Sequence, residues 1–155
     1  MPTLSLPVAQ LIRENASVLM TYAFSRTAIQ DLFAKTFEGE WMDFRETVFD
    51  FSEHRAQRAS LELAILLRYV DDERGVSKTF EKQLIFGSVH YSDGSEEDLS
   101  LREVANKIVH AAAFDWDLSR PLKPMIVCLP RDKQRWQRAN IELVAVVAAC
   151  GRLSL

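Results

Sequence analysis

From Leu6 to about Phe37, apolar residues recur at mostly three- and four-residue steps: Val8, Leu11, Ile12, Leu19, Tyr22, Ala23, Ile29, Leu32 and Phe33. That is the period of a helix with one buried face, and it fits either one long helix or two in succession. Gly39 provides a stop. The aromatic-rich stretch from Trp41 to Phe51 reads as a short helix or turn that plugs the core beneath the next helix. Asp50 and Glu53 then open a long helix to about Arg74, with Leu63, Leu66, Leu67 and Val70 on its apolar side and Gly75 at its end.

The second half mixes the two periods. Leu84 to Tyr91 is β-branched and aromatic and runs into Ser92-Asp93-Gly94-Ser95, which reads as a strand closed by a turn. Ser100 and Glu103 stand at capping-box spacing and open a helix to about Ala113, whose buried face is Leu101, Val104, Ala105, Ile108, Val109, Ala112 and Ala113. Met125 to Leu129, bounded by Pro124 and Pro130, predicts a second short strand. A last helix is expected from about Lys133 to Cys150, with residues 141–147 apolar and β-branched enough to form a strand instead. The sum is a mainly α fold, a helical bundle of four or five helices with a small two-stranded antiparallel β element, in which Leu84 to Tyr91 pairs with Met125 to Leu129.

Composition narrows the class without naming a function. A chain of 155 residues with 48% hydrophobic and 26% charged residues is the size and make-up of a single folded domain spanning residues 1–155. Cys128 and Cys150 lie in apolar stretches with no metal-ligand spacing around them, so they read as buried free thiols of a reducing compartment. Without a secretory leader or a bilayer-length apolar run, the expected location is cytoplasmic, with no membrane partner. A net charge of -3 argues against coating by nucleic acid over the whole surface and turns attention to local patches.

One such patch lies on the helix that opens at Ser100. Arg102, Asn106 and His110 follow at four-residue steps, so they line one edge of the apolar face. A guanidinium binds phosphate, an amide orients a hydroxyl and an imidazole moves a proton near neutral pH, a set suited to metal-free cleavage of a phosphodiester by a ribose 2'-hydroxyl. The segment Leu101-Arg102-Glu103-Val104-Ala105-Asn106-Lys107-Ile108-Val109-His110 resembles the signature helix of the HEPN superfamily, compact helical domains of prokaryotic toxins, abortive-infection systems and RNA-processing proteins. The likeness is carried by Asn106 to His110. Ala105 stands where the family's arginine falls, and Arg102 is the nearest arginine upstream. The resemblance implies a metal-independent RNase or RNA-binding domain, with His110, Asn106 and Arg102 as catalytic residues at the interface of a homodimer and RNA or an antitoxin as partner. It implies no cofactor and no metal.

A basic run supports the same reading. Arg131, Lys133, Arg135 and Arg138 surround Trp136, with Arg120 and Lys123 upstream and Asp132 the one acid among them, and basic groups beside an aromatic ring could hold single-stranded RNA. Asp93, Glu96, Glu97 and Asp98 form an acidic turn that repels nucleic acid, while His54 and His90 have no assigned role. The alternative is a non-catalytic protein-interaction or dimerisation domain that keeps the helix from Ser100 for packing.

Overall fold

The computed structural model describes residues 6–36, 41–80 and 83–153 and corrects the predicted helical bundle. The chain is α+β: a five-stranded antiparallel sheet in the order β2-β1-β5-β4-β3, with helices packed on one side. Two long antiparallel helices, α1 (Leu6–Thr36) and α2 (Trp41–Arg74), form a hairpin. The first predicted segment is thus one helix. The expected stop at Gly39 lies outside the described residues. Trp41 to Phe51 is not a separate short helix or turn but the opening turns of α2; Phe49 is buried against Phe33 of α1, while Phe44 and Phe51 are exposed. Its far end behaves as its sequence indicates: Gly75 takes φ +63° and its N–H bonds back to Asp71 O at 2.7 Å.

After α3 (Val76–Phe80) the sheet begins with β1 (Gly87–Tyr91) and β2 (Glu96–Asp98), so the predicted acidic turn is in part an edge strand. Helix α4 (Leu101–Val109) starts where the capping box places it, with Ser100 Oγ accepting from Glu103 N at 3.2 Å. It ends earlier than the apolar spacing suggested. Ala111, Ala112 and Ala113 belong to β3 (Ala111–Asp117), because Phe114-Asp115-Trp116-Asp117 alternates at the period of a strand and Trp116 docks on Tyr22 of α1 with ring centroids 4.8 Å apart. The expected last helix divides likewise into β5 (Trp136–Glu142) and α5 (Leu143–Leu153). Residues 141–147 therefore span both states.

The two strands that were expected to pair do not. β5 lies between β1 and β4 (Met125–Pro130), with Val89 opposite Ala139 and Val127 opposite Asn140, because β5 supplies the buried Ala139 and Ile141 that complete the inner face. That face also carries Val89, Ile126 and Cys128 and meets the buried side of α4, while α1 packs on α5 and α2 on α4. β1 and β5 approach closely at Gly87, whose φ of +123° and open Cβ position admit the carbonyl oxygen of Asn140.

Candidate functional site

The amphipathic pattern of α4 fixes what its polar edge can reach. Leu101, Val104, Ala105 and Ile108 are buried toward α2 and the sheet, which turns Arg102, Asn106 and His110 into one open groove of about 750 Å³ between α4 and the β4–β5 connection. Three of the basic-run residues, Arg131, Arg135 and Trp136, line the same groove. The fold thus brings together two distant segments that the sequence offers as separate features. Lys133 sits exposed on the connection outside the groove lining, and Arg138 points to the opposite face of the sheet.

The three α4 residues occupy different environments. The Arg102 guanidinium turns back to α2, where Nη1 bonds Asp72 and lies 3.4 Å from Asp71 Oδ2. The Asp72 bond is the main cause that raises its pKa further. Asn106 donates to Glu103 Oε1 at 3.2 Å. His110 is the exposed C-cap residue, and its backbone N–H bonds Asn106 O at 3.0 Å. Only the imidazole and part of the amide face the groove unclaimed.

Trp136 is not the stacking platform expected from its basic neighbours. Its ring is buried, and Lys107 Nζ stands 4.8 Å from the ring centroid, where the aromatic face favours a cation. Glu103 Oε2, 3.6 Å away, pairs with the same ammonium. The tryptophan is the floor that positions Lys107. Pro130, the acid Asp132, Arg68 and Tyr91 complete the walls; Arg68 and Tyr91 are not site candidates in the sequence, since Arg68 lies in a mid-helix run and Tyr91 ends a strand. Tyr91 Oη donates to Glu97 Oε2 at 3.0 Å. Among the described residues, Arg68, Arg131 and Arg135 form no ion pair.

A second polar cluster occupies the outer sheet face. Arg138 Nε, a donor only, bonds Asn140 Oδ1 at 2.7 Å, which turns Asn140 Nδ2 toward His90 Nε2 at 3.2 Å. His90 Nε2 therefore accepts, and its Nδ1 carries the proton toward Glu96, 3.8 Å away. The other unassigned histidine, His54, is exposed on α2 near Asp50 and Glu46. Among the described residues, no group of three or more His, Cys, Asp or Glu could hold a metal ion, and no helix is long and apolar enough to cross a membrane. Cys128 and Cys150 are buried thiols in no disulfide, and burial pushes both up to about 12.

Comparison with protein-family models, curated proteins and solved structures finds no match to this chain.

Proposed function

We propose that the α4 groove binds single-stranded RNA through its phosphates, and that binding rather than cleavage is its function. The observation that carries this reading is the concentration of cations without acid partners, Arg68, Arg131 and Arg135, around Lys107 and His110, in a protein whose net charge is -3. The likeness of α4 to the HEPN signature helix favours RNA as the polyanion. The sheet is not an element of that resemblance, so the reading rests on the groove and not on membership of the superfamily. Cleavage would require Arg102 to leave Asp71 and Asp72 and face the same phosphate as His110.

Fluorescence anisotropy with a labelled single-stranded RNA of mixed sequence tests it. Replacing Arg131 and Arg135 together by glutamate weakens binding by roughly tenfold or more and flattens the dependence of affinity on salt, since released counterions scale with neutralised phosphates. An affinity unchanged by the double reversal, or absence of binding at low salt, overturns the reading.

A further inference from the structure

Along α2 a run of large apolar side chains stays exposed although α1 and α4 both pack on this helix. Leu63 and Leu67 are buried, whereas Ile65, about 200° around the helix from Leu63 at 3.6 residues per turn, is 60% exposed. On the same side run Leu61 (39%) and Tyr69 (52%), and toward the start of the helix Phe51 (65%), at the rim of the groove shared with α1, and Phe44 (52%), whose ring also meets Phe33 of α1; His54 and Arg58 interrupt the stripe. Isolated apolar residues on a surface need no explanation, but several large ones along one side of a helix mark a contact.

We propose that a second copy of the chain covers this face, α2 against α2 in an antiparallel two-fold contact centred near Arg58. The order of side chains is self-complementary about that point. Phe51 and Ile65 stand at equal distances on either side of Arg58, so each meets the other residue of the second copy. Arg55 and Glu62 stand almost symmetrically as well, which sets Arg55 beside Glu62 of the second copy twice over. Tyr69 falls over the turn between Phe44 and Val48 of the second copy. Arg58 itself is already paired, its Nε 2.7 Å from Glu62 Oε1, so the two arginines near the axis are each partly neutralised. A parallel arrangement would instead lay Arg55 on Arg55 and Glu62 on Glu62, with like charges opposed along the seam.

Light scattering coupled to size exclusion, run on the full chain at micromolar concentrations, reads the result directly. The wild type elutes at twice the chain mass, and Ile65→Glu and Phe51→Glu each convert it to the monomer while keeping the wild-type far-UV circular dichroism. Leu122→Glu, which places the same charge at an apolar residue that is 85% exposed but far from α2 in sequence, leaves the dimer intact. Arg58→Cys cross-links to itself with a short bis-maleimide, against a background kept low because the native thiols are buried. A monomeric wild type overturns the proposal. So does a dimer that survives both α2 substitutions or is lost equally on Leu122→Glu.

Discussion

Arg102 of α4 is tied to Asp72 of α2 by a hydrogen-bonded ion pair, so the arginine that shares the helix edge with Asn106 and His110 lines the groove with its guanidinium bound to another helix. Asp72 is exposed, so solvent screens the pair and it contributes little to stability. Its weight lies in where it puts a positive charge. Asp72→Asn loosens the guanidinium and raises RNA affinity severalfold with little change in thermal stability. Because loss of an acid near any cationic groove helps a polyanion bind, the informative quantity is the double-mutant cycle with Arg102→Ala. The gain disappears when Arg102 is absent. A gain that persists in the Arg102→Ala background shows that Arg102 never reaches the RNA.

His110 separates binding from catalysis. Its side chain is exposed, and only its backbone takes part in the helix cap, so His110→Ala leaves the unfolding midpoint unchanged within the roughly 0.5 kcal/mol range of surface substitutions. The wild type leaves a labelled RNA intact over prolonged incubation, and the variant binds it nearly as well. Cleavage by the wild type that His110→Ala reduces by about 10² to 10⁴ would establish a general acid or base and overturn the binding-only reading.

The groove was more legible in the sequence than the fold that builds it. Helical spacing alone places Arg102, Asn106 and His110 on one edge, and the capping box at Ser100 fixes where that helix starts. Arg131 and Arg135 were visible as charge. What spacing could not show is that Asp71 and Asp72, some thirty residues upstream, claim Arg102, because that contact arises from packing α2 on α4. The sheet was missed for a local reason. Ala111 to Ala113 continue the apolar face of α4 as well as they begin a strand, and only the alternation from Phe114 onward breaks the tie. In β5 the buried positions Trp136, Ala139 and Ile141 run into the apolar start of α5, so the strand's alternation is concealed within a longer hydrophobic stretch.

Gly87 tests the sheet order. Its φ of +123° is unfavourable for any side chain, and a Cβ there would lie 1.9 Å from the carbonyl oxygen of Asn140 on β5. The Cβ would be fixed rigidly to one paired backbone and the oxygen belongs to the other, so neither can swing away. Gly87→Ala therefore destabilises the chain by at least about 2 kcal/mol, combining backbone strain with separation of β1 from β5. Urea unfolding measures it. A loss below about 1 kcal/mol would mean that β1 and β5 do not approach at this point.

The two buried thiols give the protein an alkaline limit. Burial raises Cys128 and Cys150 from an ordinary value of 9.0 to about 12, so in the folded state both stay protonated where the unfolded chain has begun to ionise. A folded pKa above the unfolded one stabilises the fold fully below about pH 9, and that contribution is lost as pH rises toward 12. In between, the unfolded state holds fewer protons, and stability falls by up to about 1.4 kcal/mol per pH unit for each thiol. Tyr22, raised first by burial, and Tyr91, raised first by burial and then by its bond to Glu97, titrate in the same direction, so the wild-type slope alone does not isolate the cysteines. Urea unfolding at neutral pH and at pH values between 9 and 12 on the wild type and on Cys128→Ala/Cys150→Ala separates them. The variant starts less stable at neutral pH because it leaves cavities, yet loses less stability on alkalinisation. Equal losses in the two proteins would show that the thiols ionise as readily folded as unfolded, and hence that Cys128 and Cys150 are not sealed from water beneath α4 and α5.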